Sequence, residues 1–301
     1  MTLDLTRLTN SPVNSFDYYG RSLWVKRDDL LHSHFGGNKA RKLAFLLNLP
    51  ANNSQRIISY GGNQSNLMLA LAALCQLKQW HFTYYTRSLS QMAAANPAGN
   101  LAASLNYGMV LIEYPGNLNE LATTLKPQLT EHDLLIEQGS YQVEAELGIA
   151  SLAAELRVFA RLNNFAQMAI FIASGTGTSA FYLQRNLPEF KVYTTNCIGS
   201  SQWLSQQFAQ LSELSPSPCL PIILPNNTYR FATPHLELLT TINSIEQLSG
   251  IEFDRVYDPV GWQILLANLA AFSEPLVYIH CGGTMGNVTM DKRYAFLQRR
   301  S

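Results

Sequence analysis

Charge is what this sequence has least of. Charged residues make up 14% of its 301 positions, against the roughly 25% usual for soluble chains. The 21 Lys and Arg are cancelled by 21 Asp and Glu. A neutral balance excludes nucleic-acid or anionic-membrane binding that rests on bulk charge. A large buried interface would account for part of the deficit, so an oligomer is expected. Cysteine is scarce too: Cys75, Cys197, Cys219 and Cys281, none in a C-x-x-C pair. That argues against a zinc ribbon or a thioredoxin-type motif, and no metal is expected. The longest apolar run, Leu67 to Cys75, is far short of the ~20 residues that span a bilayer. The first twenty residues contain no apolar h-region. A cytoplasmic protein without membrane contact is the expectation.

Core-forming residues, by contrast, are plentiful. The chain is 47% hydrophobic and 11% aromatic, which excludes a disordered chain, and its length suggests two domains. RIISY (56–60), HFTYYT (81–86), MVLIE (109–113) and LLIE (134–137) read as buried strands. Between them, Asn66–Gln79, Pro97–Tyr107 and Leu118–Leu129 have helical apolar spacing. A second series follows the amphipathic stretch Glu144–Leu162. Its strands are MAIFIA (168–173), KVYTTN (191–196), LPIIL (220–224) and LVYIH (276–280). Its helical stretches are Ser179–Leu187, Ser201–Leu211, Pro234–Leu248 and Gln263–Phe272. Alternation of this kind predicts an α/β protein with mostly parallel sheets flanked by helices. The first 50 residues hold one further strand, LWVKR (23–27), and a short helix, Asn38–Leu47, ended by Leu49-Pro50.

Four glycine-marked turns precede possible helices, and three of them follow a strand directly, where open α/β sheets bind ligands. In KRDDLLHSHFGGNKARKLAFLL (26–47), Lys39 falls in the first turn of a helix, where a cation opposes the macrodipole. It is either a solvated lysine or a Schiff-base former with a lowered pKa. In GGNQSN (61–66), Ser65 or Asn66 is either a plain N-cap or part of a carboxylate-binding turn. SGTGTSA (174–180) is the most explicit anion cradle: Ser174, Gly175, Thr176, Gly177 and Thr178 follow a buried strand and open a helix. Gly175, Gly177 and Ala180 also fit a dinucleotide fingerprint, but the next strand ends in Thr195 and Asn196 without the required acid. That opposes an NAD-binding oxidoreductase. The fourth turn, HCGGTMGN (280–287), puts Cys281 or Thr284 toward the crevice. A lysine, an anion-binding turn and a phosphate cradle together are what a phosphorylated aldehyde held by lysine needs. Pyridoxal phosphate is that cofactor.

These segments, in this order, resemble the 1-aminocyclopropane-1-carboxylate deaminase and D-cysteine desulfhydrase family of fold-type II pyridoxal-phosphate enzymes. The resemblance is strongest at 26–47 and 61–66. It continues through EQGSYQVEAELG (137–148), SGTGTSA, DPV (258–260) and HCGG (280–283). It implies that Lys39 carries the cofactor covalently, that Asn66 meets its ring oxygen and that Cys281 lies at the ring nitrogen. Residues Ser174 to Thr178 would hold the phosphate, and Gln64, Ser65 and Asn66 the substrate. It further implies a large domain of 1–50 plus 155–301, a small inserted domain of 51–154, and a homodimer. Departures fall on the substrate side. Leu67 stands where the family has an aromatic residue or His. Asp258-Pro259-Val260 is followed by Gly261, not by a tyrosine. Tyr229 could stand for a second tyrosine, although Arg230 replaces its glycine neighbour.

The function this implies is a pyridoxal-phosphate-dependent deaminase or lyase. It would release ammonia and a 2-oxo acid from a small amino acid, with Lys39, Ser65 and Tyr229 catalytic. The missing tyrosine after Val260 would cost cyclopropane ring opening more than β-elimination, which ranks a D-amino acid such as D-cysteine first. It also motivates an alternative, a cofactor-binding carrier or amino-acid sensor without efficient lyase activity.

Overall fold

The structure, a computed structural model, describes residues 8–32, 35–49 and 55–300. Ser33 and His34 of the first glycine segment, Pro50 and the first seven residues lie outside the described residues.

Ten strands form two sheets. The smaller consists of β3 (Arg56–Tyr60), β4 (His81–Thr86), β5 (Val110–Glu113) and β6 (Asp133–Ile136). Its order is β5-β4-β3-β6, and all three pairings are parallel. The larger contains β1 (Val13–Tyr18), β2 (Arg21–Arg27), β7 (Ala169–Ser174), β8 (Lys191–Asn196), β9 (Ile222–Ile223) and β10 (Leu276–His280). Its order is β1-β2-β10-β7-β8-β9, parallel except for the β1–β2 hairpin at its edge. The expected α/β fold with mostly parallel sheets is borne out.

The apolar pattern follows from coverage on both faces. Every residue of β7, AIFIAS, is buried. Helices α7 (Glu146–Leu162), α8 (Thr178–Asn186) and α9 (Ser201–Leu214) cover one face of the large sheet. There Ile149, Leu152, Phe181 and Phe208 pack with Ile170, Ile172 and Val277. Helices α10 (Leu236–Ser249) and α11 (Asp258–Ala267) cover the other, through Ile242, Ile245, Trp262 and Leu265. On the small sheet, α3 (Asn66–Lys78) and α5 (Gly99–Asn106) share a core with Ile57 and Phe82, and α6 (Leu118–Leu125) closes the opposite face. A short α4 (Gln91–Ala95) precedes α5, and α12 (Asn287–Gln298) ends the chain.

Two elements lie outside the pattern read from sequence. Strand β1 buries only Phe16, as an edge strand can. Helix α12 buries only Asn287, Met290 and Tyr294. The segment after β2 bridges the two sheets. Its helices α1 (Asn38–Lys42) and α2 (Ala44–Leu47) put Ala40, Leu43, Leu46 and Leu47 into the small-sheet core. Yet α1 also crosses α7 so closely that a Cβ on Gly148 would lie 2.0 Å from the carbonyl oxygen of Arg41.

Candidate active site

The C-terminal ends of β3, β7, β8 and β10 face one cleft between the sheets. It is lined by Asn38, Lys39, Lys42, Ser65, Asn66, Ser174 to Ser179, Asp254, Tyr257, Asp258 and Cys281. Of the residues expected at a site, Lys39, Ser65, Asn66, Ser174 to Thr178 and Cys281 are brought together here.

Lys39 is placed by a glycine that cannot be replaced without movement. Gly37 has φ +70°, and a Cβ there would stand 1.6 Å from the carbonyl oxygen of Cys281. That carbonyl accepts the Asn38 N–H at 3.1 Å, which pins the start of α1 to the end of β10. Beneath, Arg41 is gripped by two carboxylates. Its guanidinium donates to Asp28 at 2.8 and 3.1 Å and to Glu155 at 2.6 and 2.8 Å. Lys26 adds an ion pair to Glu155 at 2.6 Å. A buried, doubly paired arginine of this kind fixes geometry more than it adds stability.

The Lys39 Nζ donates to Asn38 Oδ1 at 2.8 Å. Burial lowers its pKa, while nearby Cys281 and Asp254 act the other way. Lys42, one turn on, is pushed well below the ordinary lysine value by burial and by repulsion from Lys39. Its Nζ donates to the carbonyl of Gly139. Two lysines this poorly solvated make a site short of negative charge. Opposite them, α8 begins at Gly177, with φ +79°, and its first N–H groups have no acceptor within the helix. The Thr176 and Thr178 hydroxyls lie 3.0 Å apart. Ser174 is less available: the single Thr194 hydroxyl hydrogen goes to Ile172 O at 2.7 Å, so Ser174 Oγ donates to Thr194 Oγ1 at 2.7 Å. Free N–H groups, two hydroxyls and a buried lysine are a donor set for a phosphate. A second lysine within the same cleft suits an aldehyde. The residues present therefore fit a phosphorylated aldehyde cofactor.

At the other wall, Ser65 caps α3. Its Oγ accepts from the N–H groups of Leu67 and Met68 at 3.2 and 3.4 Å. The N-cap reading thus holds, and the hydroxyl also bonds the Tyr84 hydroxyl, which itself donates to Gly62 O at 3.1 Å. Asn66 donates to Asp254. Burial raises the Asp254 carboxyl to about 6, against hydrogen bonds from Tyr257 N–H, Val256 N–H and Asn66. Asp258 is pushed well up by burial and by Asp254, and it accepts from Tyr278 Oη at 2.7 Å. Burial also raises Cys281, whose Sγ donates weakly to Ile279 O at 3.7 Å.

Two expected residues stay outside. Gln64 is spent on the backbone: its Nε2 donates to Ala98 O at 3.0 Å and its Oε1 accepts from Asn100 N–H at 3.1 Å. Tyr229 packs edge-on against His235 at 5.4 Å and does not line the cleft. No tyrosine follows Val260, yet the cleft does hold one. Tyr257 lines the cleft, its hydroxyl pKa raised by burial and by Asp254. It follows Asp254-Arg255-Val256 and directly precedes Asp258-Pro259-Val260. Position 261 faces the core instead: a Cβ on Gly261 would stand 2.6 Å from Tyr278 Oη. Lys42 was missed as well, although its spacing of three from Lys39 puts both on one helix face.

A two-sheet α/β protein whose sheets close on a buried lysine and an anion cradle is the class defined here, and the comparisons agree. No model of a known protein family matches the chain. D-cysteine desulfhydrase of Serratia proteamaculans (strain 568) is 28% identical over 291 residues, covering 89% of this chain and 88% of that protein. D-cysteine desulfhydrase of Yersinia pestis (strain Pestoides F) is also 28% identical, over 292 residues and the same shares. Among solved structures, an ACC deaminase homologue superposes with TM-score 0.77 at 19% identity, over 95% of this chain and 93% of that one. A hydrogen sulfide-producing enzyme from Fusobacterium nucleatum gives TM-score 0.65 at 14% identity, over 92% and 95%. The structures share the fold. With the curated relatives, they bear out the resemblance to the 1-aminocyclopropane-1-carboxylate deaminase and D-cysteine desulfhydrase family along most of the chain.

Proposed function

We propose that the protein is a pyridoxal-phosphate-dependent lyase that releases ammonia and a 2-oxo acid from a small amino acid. The observation that carries this is Lys39, buried with a lowered pKa, sharing one cleft with the Ser174–Thr178 turn. The relatives named D-cysteine desulfhydrase make D-cysteine the first substrate to test. The earlier case for it, a missing tyrosine, no longer stands, because Tyr257 lines the cleft. The same residue removes the motive for a carrier or sensor.

In this reading Lys39 holds the cofactor, the N–H groups of Gly175 to Thr178 with Lys42 and the Thr176 and Thr178 hydroxyls hold its phosphate, and Asn66 and Cys281 meet its ring. When bound, the cofactor supplies an electron sink. The residues do the rest. Burial keeps a fraction of Lys39 neutral, as a base at the substrate α-carbon must be. Tyr257 keeps its proton to high pH and can give it to a leaving group. Ser65 and the start of α3 stand where the substrate carboxylate would bind. The compartment is taken as the cytoplasm and the assembly as a homodimer. The domain division stays 1–50 plus 155–301 against 51–154, with α1 and α2 bridging.

The test is release of 2-oxo acid and ammonia from D-cysteine, L-cysteine and 1-aminocyclopropane-1-carboxylate by cofactor-loaded protein. Turnover of D-cysteine or the cyclopropane supports the lyase reading. No turnover of any small D- or cyclic amino acid by a loaded sample contradicts it.

A further inference from the structure

We propose that Asn100, in the first turn of α5, sets which end of the Asn66 side-chain amide faces the cleft. The two ends of an amide are alike in shape, so only their hydrogen-bond partners distinguish them. Asn100 is fully buried. Its Nδ2 donates to the backbone carbonyl of Gln64 at 3.0 Å and to Asn66 Oδ1 at 2.8 Å. A carbonyl only accepts, so Gln64 fixes the Asn100 amide, and Asn100 in turn fixes Asn66.

The far end of the relay agrees. With Oδ1 turned to Asn100, the Asn66 Nδ2 lies on the Asp254 side: a Cβ on Gly283 would stand 2.4 Å from it and 2.9 Å from Asp254 Oδ2, and the Asp254 carboxyl is stabilised by Asn66 as a donor. Asp254 is itself held by the N–H groups of Val256 and Tyr257, at 2.8 and 2.5 Å on Oδ1. A flipped Asn66 would set oxygen against the Asp254 carboxylate and nitrogen against Asn100 Nδ2. Both ends of the relay are therefore acceptors, and only one polarity satisfies them. Asn100 Oδ1 is buried with no partner, so its orientation is held by the two donations alone. The Asn66 Nδ2 has two hydrogens; Asp254 takes one, and the other is left for the cleft that Asn66 lines.

This explains where Gln64 goes. Its side chain clamps the start of α5, through Asn100 N–H and Ala98 O. Gly99, at φ +58°, passes so close that a Cβ would stand 2.7 Å from Gln64 Oε1. The GGNQSN turn thus fastens α5 against α3 so that Asn100 can orient Asn66. Asn100 is a positioning residue: it does not line the cleft. Its functional consequence rests on the proposed function, because the free Asn66 hydrogen matters only if an acceptor such as the ring oxygen of pyridoxal phosphate binds there.

Asn100→Asp keeps the shape and removes both donations; Asn100→Ala removes the side chain. The first readout uses cofactor-free protein: the side-chain amide signals of Asn66 in a nitrogen–proton correlation spectrum. In the native protein one Asn66 Nδ2 proton, bonded to a carboxylate, should be shifted downfield and exchange slowly. In either variant that signature should be lost while the melting transition stays cooperative. The second readout is pyridoxal phosphate affinity by absorbance titration, expected to weaken by roughly three- to tenfold, the worth of one ordinary hydrogen bond. An unchanged Asn66 signature in a folded variant overturns the relay. So does a freely exchanging Asn66 amide in the native protein, a measurement that needs no variant. If the native protein does not bind pyridoxal phosphate, the functional reading fails, and the amide signals still decide the relay.

Discussion

In the proposed function, Tyr257 is the residue that gives a proton to the leaving group. It lies in the cleft with Lys39, held by its N–H to Asp254. Tyr257→Phe removes only the hydroxyl and should leave cofactor binding intact. A positioned acid–base group typically contributes 10²–10⁴-fold, so 2-oxo acid release should fall by about that factor. A drop under threefold would take Tyr257 out of the reaction. Asp254 gives a second test. Its folded-state pKa is raised to about 6 from 3.8, so the folded state holds the proton more tightly than the unfolded chain. The stabilising contribution is present below pH ~4 and is lost as pH rises through ~6. Native protein should therefore lose stability relative to Asp254→Asn between pH 4 and pH 7, measured by paired thermal melts. A constant difference across that window would contradict the assignment.

At the scale of the element, the site depends on how α1 is seated. Gly37 lies against Cys281, and Arg41 sits between Asp28 and Glu155. Gly37→Ala forces a Cβ onto a carbonyl in a left-handed backbone, so a loss of at least ~1–3 kcal/mol is expected, with weakened cofactor binding. Arg41→Ala leaves the Asp28 carboxylate buried without an ion pair, while Glu155 keeps Lys26; a cost of about 3–5 kcal/mol is expected. Denaturant unfolding measures both, and native-like midpoints would contradict the account. Here the sequence was legible in part. The alternation of apolar runs gives the parallel strands, because both sheet faces are covered. Glycine turns after those strands give Lys39 and the α8 cradle. Edge strand β1 and helix α12 were hidden because each buries too few apolar residues to set a period. Gln64 could not be placed from sequence, since a side chain next to a binding turn serves the backbone or a ligand with the same donors. Tyr257 was obscured by two Asp-x-Val frames four residues apart, and only the packing of Gly261 against Tyr278 separates them.

For the whole molecule, the cleft lies between two sheets connected once through α1 and α2 and once through α7, and a ligand that contacts both should tie them together. Binding to the folded state alone stabilises by mass action, about 2.7 kcal/mol at a hundredfold excess over Kd. Pyridoxal phosphate should thus raise the melting temperature, and Lys39→Ala should retain a smaller, phosphate-dependent rise. Among the described residues no helix is long and apolar enough to cross a membrane. The proposed homodimer would appear as twice the chain mass in light scattering, at a size that does not change with dilution into the assay range. The central claim is that Lys39, of the two lysines in the cleft, carries the cofactor. Borohydride reduction of the pyridoxal-phosphate-loaded protein, followed by peptide mapping, tests it most directly. The label should sit on Lys39 and be absent from Lys39→Ala. A label on Lys42 or another lysine, or none on a loaded sample, would contradict the account.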